Sequence, residues 1–221
     1  MKVVITIPCF NEEKTIGKVI DEINKVMGIL SYDYQIIVVN DGSNDQTGKI
    51  AKKHGAIVIN NKRNLGLAET FKREMEECIK LGAEIIVHTD ADDQYPAEYI
   101  PQLIKGIEDG HDLVLGSRFK EGAYSGSFVK RIGNIVFALV FSKILNAKIT
   151  DTTTGFRAFT TEVANLPLIN DFTYTQEQLI RAAKRKLNVG EIFIKTRKTR
   201  ESKLFSSPFH YAIKAWINIF R

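Results

Sequence analysis

The sequence predicts an α/β protein with a mostly parallel sheet that carries helices on both faces. Three observations support this class. Short runs rich in Val and Ile alternate with longer amphipathic stretches over the first half of the chain, as expected for strands joined by crossover helices. The strand-like runs are almost continuously apolar, which indicates burial on both faces. The length of 221 residues suits one domain with at most an appended element.

The first half therefore divides into alternating strands and helices. The predicted strands are Lys2–Ile7, Tyr34–Asn40, Ala56–Asn60, Glu84–Thr89 and Asp112–Gly116. The predicted helices are Glu12–Met27, Asp45–His54, Leu65–Leu81 and Ala97–Asp109. Ligands of such sheets bind beyond the carboxyl ends of the strands, so the loops after the strands are expected to carry the function.

The regular alternation stops after the fifth predicted strand. We predict helices over Phe128–Ala147 and Thr173–Leu187, a polar loop over Asp151–Phe159 and a strand over Gly190–Thr196. The apolar residues 132–144 most simply form a core helix, with lipid contact as the alternative. Domain boundaries are predicted at 1–205 for the main domain and 206–221 for a C-terminal amphipathic helix.

The C-terminal helix has a narrow polar stripe and a wide apolar face. His210, Lys214 and Asn218 recur every four positions, and aromatic and branched apolar residues, with Trp216 among them, cover the rest. Such a helix can lie in a membrane interface. The alternatives are docking onto the protein core and contact with transmembrane segments beyond this sequence.

Composition restricts the partners. The formal net charge is +5, which fits an anionic partner without identifying it, and basic residues concentrate between Lys184 and Lys203. Cys9 and Cys78 are far apart and lack metal-ligand spacing, so we interpret them as reduced thiols of a cytosolic protein. The N-terminus lacks the features of a signal peptide, and no run reaches the roughly 20 apolar residues needed to span a bilayer.

Three carboxylates follow the fourth predicted strand directly: Asp90, Asp92 and Asp93. Strand geometry would put Asp90 and Asp92 on one face, roughly 6–7 Å apart. Hard cations such as Mg²⁺ take one or two carboxylates and complete their shell with water and substrate phosphates. The pattern therefore suggests a metal-held diphosphate, with a solvated acidic turn as the alternative.

The residues that follow the first two predicted strands restrict the class of ligand. Pro8–Glu13 stands where a dinucleotide-binding protein would show G-x-G-x-x-G, and the P-loop pattern is also missing, which argues against nicotinamide and flavin enzymes and P-loop NTPases. Asn11 is a candidate N-cap for the first helix. Asp41 follows the second strand, where a carboxylate can accept hydrogen bonds from a base or ribose, and Asp45 is a candidate helix cap.

Seven motifs taken in order carry a family resemblance. They are PCFNEE (Pro8–Glu13), VNDGSNDQT (Val39–Thr47), N-x-G-L-A-x-T-F-K (Asn64–Lys72), DADDQYP (Asp90–Pro96), GSRF (Gly116–Phe119), DTTTGFR (Asp151–Arg157) and R-x-x-x-E-S-K-L (Arg197–Leu204). Together they resemble the inverting family 2 glycosyltransferases, and within them the dolichol-phosphate mannose synthase branch. The match runs over nearly the whole chain.

The resemblance implies a GT-A fold, which is Rossmann-like, a nucleotide-sugar donor, a divalent metal (Mg²⁺ or Mn²⁺) and a polyprenyl phosphate acceptor. The implied donor-binding residues are Pro8, Phe10, Asn11, Glu12, Asp41, Asp90 and Ala91. The implied metal site is Asp90, Asp92 and Gln94, and the sugar site is Asp93, Glu177 and Arg181. Arg118, Arg131, Arg197 and Lys203 would bind phosphate groups, and the catalytic set would be Asp92, Asp93 and Arg118.

One position departs from the family pattern. Such relatives usually carry glycine three residues after the arginine of the last motif, where this chain has Arg200. An added cation there would contact phosphate or alter loop closure over the donor, and the roles of Arg197 and Arg200 stay open.

We therefore expect a metal-dependent enzyme that transfers a hexosyl unit, mannose before glucose, with inversion. A phosphate acceptor is already anionic and needs cationic clamping, for which arginine is suited. The expected location is the cytoplasmic face of a membrane, held peripherally by the C-terminal helix unless the chain is cut before membrane spans, and no nucleic acid is expected as a partner. The alternatives are transfer to a sugar hydroxyl, with Glu177 or Asp93 as base, and a nucleotide-sugar-binding module without turnover. A nucleotidyltransferase is less supported.

Overall fold

The computed structural model describes residues 1–119, 138–139, 142–143, 148–168 and 174–197. Arg131, Arg200 and Lys203 lie outside these ranges, as does the helix predicted over 206–221. Of the predicted helix Phe128–Ala147, only residues 138–139 and 142–143 are described, and they are helical. Within the described ranges, no helix reaches the length and apolar character needed to cross a bilayer.

The core element is a seven-stranded, mostly parallel sheet. Its strands are β1 (Lys2–Cys9), β2 (Asp33–Asn40), β3 (Ile57–Asn60), β4 (Ile85–His88), β5 (Leu113–Ser117), β6 (Arg157–Thr160) and β7 (Val189–Phe193), in the spatial order β3-β2-β1-β4-β6-β5-β7. Only β6 is antiparallel to its neighbours in this sheet. The predicted α/β class is confirmed.

Helices cover both faces of the sheet. They are α1 (Ile16–Met27), α2 (Thr47–Lys53), α3 (Leu67–Lys80), α4 (Ile100–Glu108), α5 (Thr161–Ala164) and α6 (Tyr174–Lys184), with a 3-10 turn at Ala97–Tyr99 before α4. On one face, Val3 and Ile5 of β1 pack into a core shared with α1, α2 and α4. On the other, Val4 joins a core shared with α3, α5 and α6. Burial on both faces explains the continuous apolar strands.

The predicted polar loop Asp151–Phe159 is wrong in its last part. Arg157–Thr160 forms β6, which pairs with β4 and β5. The Arg157 side chain is fully buried, and its guanidinium donates to Gln178 Oε1 (2.9 Å), to the carbonyl of Thr175 (3.2 Å) and to the carbonyl of Thr154. Charged residues are rare inside strands and cores, which is why the sequence pattern concealed this strand.

The first helix starts one turn later than predicted. It begins at Ile16 rather than at Glu12, and Asn11 has a left-handed backbone (φ 56°) and caps no helix. Asn11 N donates to Ser43 Oγ (2.9 Å), and Glu12 N donates to Thr47 Oγ1 (2.8 Å). These contacts tie the segment to the loop after β2, so tertiary hydrogen bonds replace the expected first helical turn.

Candidate active site

The acidic pair stands at the carboxyl end of β4, where the loop 151–157 approaches it. A Cβ built on Gly155 would lie 3.2 Å from Asp90 Oδ1 and 3.4 Å from its Oδ2, so the absent side chain at 155 permits this approach. Burial raises the pKa of the Asp90 carboxyl to about 6, and the negative charge of Asp92 adds to the effect, against the opposing charge of His88. The two carboxylates are therefore close enough to repel each other.

Asp92 and Asp93 differ in their partners. Asp92 Oδ1 accepts a hydrogen bond from the backbone N of Gln94 (3.0 Å), and burial raises its pKa. Asp93 has a left-handed backbone (φ 64°), which turns the chain, and its carboxylate pairs with Lys18 and Arg197. Thus neighbouring carboxylates in one motif are held in different ways.

Arg197, which follows β7, contacts the acidic motif. Arg197 N donates to the carbonyl of Gln94 (3.0 Å), and its Nη1 donates to Glu22 Oε2 (2.9 Å) and to Asp93. Lys18, on α1, also contacts Asp93. Arg197, which the family resemblance assigns to a phosphate group, thus lies beside Asp93, and Lys18 is a contact that the sequence pattern did not indicate.

A cleft of about 420 Å³ opens beside the acidic motif. It is lined by Asn11, Glu12, Glu13, Lys14, Thr15, Asp45, Asp92 and Asp93. It therefore brings together residues from the ends of β1 and β4, as the prediction that the strand-end loops carry the function requires. Asp45 joins this lining and also anchors the start of α2, because its Oδ1 accepts from Thr47 N (3.0 Å).

Asp41 accepts hydrogen bonds from the loop that follows β3. Its buried carboxylate accepts hydrogen bonds from Asn61 Nδ2 (2.7 Å), Leu65 N (2.9 Å) and Gly66 N (3.0 Å). It therefore holds the loop between β3 and α3. Its role at a nucleoside stays a prediction.

Arg118 follows β5 and makes a forked ion pair with Asp151. Nε lies 2.7 Å from Asp151 Oδ2, Nη2 lies 2.9 Å from Oδ1, and Nη2 also donates to Thr153 Oγ1 (2.7 Å). Burial by itself raises the pKa of Asp151, but Arg118 and the donated hydrogen bonds outweigh it and hold the pKa below its usual range. None of these contacts uses Arg118 Nη1.

A second carboxylate holds the same loop from the other side. Glu191 of β7 accepts from the backbone N of Thr150 (3.0 Å) and of Asp151 (3.0 Å). The guanidinium of Arg118 and the backbone at Thr150 and Asp151 are thus both held by contacts within the protein.

The remaining predicted residues lie on well-defined elements. Pro8 is buried in β1, Phe10 is 42 % exposed just after that strand, and Ala91 is buried between the two acids. Glu177 is buried on α6 and accepts from Arg181 Nη2 (3.2 Å). The sugar-site roles of Glu177 and Arg181 stay predictions.

The donor set can be tested for a divalent cation. Among the described residues, no group of three or more His, Cys, Asp and Glu side chains could hold a metal ion by itself. A cation at Asp90 and Asp92 would have at most two protein carboxylates and would need oxygen ligands from water or phosphate, which is the arrangement that Mg²⁺ favours. A cation would also favour the ionised form of Asp90, whose pKa is raised by burial and further by the charge of Asp92, so the residues present fit one.

An open, mostly parallel sheet with its polar loops gathered at the carboxyl ends defines an α/β ligand-binding enzyme. Within that class, the chain belongs to glycosyl transferase family 2, whose model matches residues 4–165. The resemblance given by the seven motifs is confirmed, and so is the prediction of a glycosyltransferase.

Named relatives agree with this family. The chain is 37 % identical over 210 residues to a dolichyl-phosphate hexose transferase of Haloferax volcanii, covering 90 % of this chain and 84 % of the relative. It is 30 % identical to a UDP-N-acetylglucosamine–dolichyl-phosphate N-acetylglucosaminyltransferase of Methanococcus voltae, covering 90 % and 86 %. A dolichol-phosphate mannosyltransferase of Pyrococcus furiosus is 29 % identical, covering 97 % and 58 %.

Solved structures support the fold. Glucosyl-3-phosphoglycerate synthase from Mycobacterium tuberculosis, crystallised with Mn²⁺, UDP and phosphoglyceric acid, has a TM-score of 0.73 at 19 % identity and covers 99 % of this chain and 76 % of that chain. The same enzyme with Mg²⁺ and UDP has a TM-score of 0.75 at 20 % identity, covering 99 % and 78 %. The predicted GT-A-like fold is therefore confirmed.

Proposed function

We propose that this protein transfers a hexosyl unit, mannose in the first place and glucose next, from a nucleoside diphosphate sugar to a polyprenyl phosphate with inversion. The observation that carries the proposal is the acidic motif after β4, in which Asp90 and Asp92 are followed by Asp93, the ion-pair partner of Arg197. The named relatives include three transferases whose names contain dolichol or dolichyl phosphate. These names support a polyprenyl phosphate as the acceptor, and they differ in the sugar that is transferred.

The carboxylates suit the donor side of the reaction. Asp90 and Asp92 would hold a divalent cation, which when bound supplies electrostatic stabilisation of the charge that develops on the departing diphosphate. The chain itself fixes both carboxylates, Asp92 through the backbone N of Gln94 and Asp90 through packing against Gly155. Preorganised groups of this kind stabilise a transition state without reorganising during the reaction.

The arginines suit a phosphate acceptor. A phosphate monoester brings its own negative charge, so its attack on the sugar needs orientation and charge neutralisation rather than a general base. Arg118 is held by Asp151 with Nη1 outside those contacts, and a planar guanidinium can present two parallel donors to phosphate. Arg131, Arg197 and Lys203, which the family resemblance also assigns to phosphate groups, are proposed to complete the set.

A hydroxyl acceptor finds less support in this geometry. That reaction needs a base within hydrogen-bond reach of the acceptor proton. Glu177 is buried and paired with Arg181, and Asp93 is paired with Lys18 and Arg197. Each carboxylate would have to break its ion pair with these side chains before it could act as a base.

Residues 1–205 are proposed as the catalytic domain, and residues 206–221 as a helix that lies on the cytoplasmic face of a membrane. The apolar face and Trp216 support this placement, because Trp prefers the membrane–water interface. Co-sedimentation of the full chain with vesicles that contain anionic lipid tests it. Trp216→Glu should weaken the binding, and equal sedimentation of both proteins would argue for docking onto the protein instead.

The reaction is tested with labelled donors. GDP-mannose, UDP-glucose and UDP-N-acetylglucosamine are each incubated with the full chain, Mg²⁺ or Mn²⁺, and either a polyprenyl phosphate or a sugar acceptor. We expect a labelled lipid product with the phosphate acceptor and loss of that product on chelation. Asp92→Ala should abolish turnover and leave the circular dichroism spectrum unchanged.

Other outcomes would replace the proposal. Product formed only with the hydroxyl acceptor would favour a polysaccharide or glycolipid transferase. Donor binding without release of nucleoside diphosphate, with every lipid phosphate tried, would favour a binding module. Full activity of Asp92→Ala would remove the proposed cation site.

A further inference from the structure

A chain of buried polar side chains lies directly beneath the acidic motif. It consists of Thr6 on β1, Glu74 on α3 and His88 on β4, each with 0 % exposure. Thr6 Oγ1 donates to Glu74 Oε1 (2.7 Å), and Glu74 Oε2 lies 3.4 Å from His88 Nε2. The chain ends at Gly155, whose carbonyl oxygen lies 2.7 Å from His88 Nδ1.

The partners determine where the protons are. A carbonyl oxygen only accepts, so His88 Nδ1 carries the hydrogen that bonds to Gly155. Glu74 Oε2 lies 3.4 Å from His88 Nε2, close enough for an ion pair, although among the described residues neither atom makes a hydrogen bond. The carboxylate therefore faces the ring edge opposite the one that donates to Gly155, and the two contacts together orient the imidazole.

Stability alone does not explain this chain. The imidazole packs against the rings of Phe71 (centroids 5.2 Å apart) and Tyr174 (6.0 Å), in a core where burial of polar groups is costly. Replacement of a buried ion pair by apolar side chains of similar volume is often neutral or stabilising. A role beyond folding is therefore the simpler account of Glu74 and His88.

A buried cation acts on the same loop. Arg157 lies directly opposite His88 in the antiparallel pairing of β4 and β6, and opposite residues in such a pair share one face of the sheet. The Arg157 guanidinium donates to the carbonyl of Thr154, and His88 donates to the carbonyl of Gly155. Two consecutive carbonyls are thus fixed from below by neighbouring strands.

These bonds determine the surroundings of Asp90. Gly155 approaches the Asp90 carboxylate so closely that a Cβ would stand 3.2 Å from Oδ1. A shift of the loop at Gly155 would therefore change the packing around that carboxylate. The same loop begins with Asp151, the partner of Arg118.

We propose that Thr6, Glu74 and His88 form a positioning chain that holds the loop 151–155 against Asp90, with Glu74 as a positioning residue for the cation and diphosphate site. The inference rests on the proposed function, because it assigns these residues to that site. They touch neither substrate nor cation; they act through Gly155.

The test separates positioning from folding by means of an apolar replacement. In Thr6→Val/Glu74→Leu/His88→Phe the whole chain becomes apolar at similar volume, so we expect a folded protein with a Tm equal to or above that of the wild type. Calorimetric titration of the full-length protein with Mn²⁺, in the presence of saturating UDP or GDP, measures the site without turnover. We expect the dissociation constant for Mn²⁺ to rise about 10–100-fold, as when partners of metal ligands are removed.

Two further variants sharpen the result. Glu74→Gln can accept from Thr6 and donate to a neutral His88, so the bond to Gly155 survives and the Mn²⁺ affinity should stay within about threefold of the wild type. The matched control breaks the His–carboxylate pair of Asp21 and His54 (2.7 Å) away from the site. Asp21→Asn/His54→Gln should leave the affinity unchanged.

The outcomes distinguish the inference from the function on which it rests. Wild-type binding that is lost in Asp92→Ala but retained in the triple variant overturns the positioning chain alone, as does a Glu74→Gln variant as weak as the triple variant. A wild type that binds no Mn²⁺–nucleotide, or binds it equally well after Asp92→Ala, removes the proposed function and this inference together. If the triple variant does not fold, Glu74→Ala decides: a folded Glu74→Ala protein with wild-type affinity overturns the proposal.

Discussion

The Asp151 carboxylate provides a direct test of how the loop before β6 is held. It is fully buried and accepts hydrogen bonds from Arg118 Nε (2.7 Å) and Nη2 (2.9 Å) and from Thr153 N (3.1 Å). Asp151→Asn keeps the shape of the side chain and removes its charge. Arg118, with only 24 % of its side chain exposed, then keeps a charge without its counter-ion.

The expected loss of stability follows from that geometry. Removing one partner of a buried ion pair costs roughly 3–5 kcal/mol, because the other charge stays behind unpaired. The lower end, about 3 kcal/mol, applies here, since asparagine keeps one acceptor oxygen and Arg118 keeps some access to water. For a chain of 221 residues, each kcal/mol corresponds to roughly 2–4 °C, so Tm should fall by about 6–12 °C.

The loss should depend on pH in a defined direction. Burial tends to raise the pKa of Asp151, but Arg118 and the hydrogen bonds hold it below its usual range. A carboxyl with a lower pKa in the folded state contributes stability that is complete above the unfolded pKa, about 3.9, and is lost as pH falls through the folded pKa. The difference between wild type and Asp151→Asn should therefore be constant from about pH 8 to about pH 5 and shrink only below about pH 4.

Urea denaturation followed by circular dichroism measures both effects. The control is Asp109→Asn, which breaks an exposed i,i+4 pair with Lys105 (2.7 Å) and should cost less than about 0.5 kcal/mol. A loss below about 1 kcal/mol for Asp151→Asn near neutral pH would show that the Arg118 pair does not hold the loop. A difference that already declines between neutral pH and about pH 5 would contradict the direction of the pKa shift.

Three further predictions concern buried groups. Cys9 and Cys78 are buried free thiols, and burial raises the pKa of Cys9 to about 12. Neither thiol should therefore react with iodoacetamide in the native protein, and both should react in urea. Mass spectrometry counts the adducts, and labelling of the native protein would contradict the packing. Gly155→Ala brings a Cβ to 3.2 Å from Asp90 Oδ1 and should weaken Mn²⁺–nucleotide binding about tenfold. Calorimetry measures the affinity, and an unchanged dissociation constant would show that the loop accommodates the methyl group without disturbing Asp90. Asp41→Asn should lower the free energy of unfolding by roughly 1–3 kcal/mol, and unchanged urea stability would show that its hydrogen bonds to the loop after β3 are dispensable.

The sequence was most informative where burial leaves a local pattern. The first five strands were predicted in the correct order because each is a short apolar run, and all but the edge strand β3 have their Val, Ile and Leu residues buried. β6 was missed because Arg157–Thr160 becomes a strand only through pairing with β4 and β5. Its arginine is satisfied by Gln178 and by two carbonyls, and no local pattern encodes such partners.

The candidate site shows the same limit. Asp90 and Asp92 were recognisable because they follow an apolar strand without interruption. Lys18 and Glu74 were not, because each lies on a helix with other charged residues, and its partner is distant in sequence: Lys18 contacts Asp93 75 residues away, and Glu74 contacts Thr6 68 residues away. Charge on a helix predicts exposure, and only the tertiary structure shows which charged residue meets a partner distant in sequence.

Two of the three arginines predicted to bind phosphate lie among the described residues, and each is paired with a carboxylate. Arg118 uses Nε and Nη2 on Asp151, and Arg197 uses Nη1 on Asp93 and Glu22. A guanidinium carries five donor hydrogens in a fixed plane. When a carboxylate binds the donors on one edge of the guanidinium, the direction of the remaining donors is therefore also fixed. A lysine at 118 would keep the charge but could not hold two parallel bonds, so its orientation would be lost even with Asp151 intact. The value of arginine here is therefore its geometry, and Asp151 belongs to that geometry as much as Arg118 does.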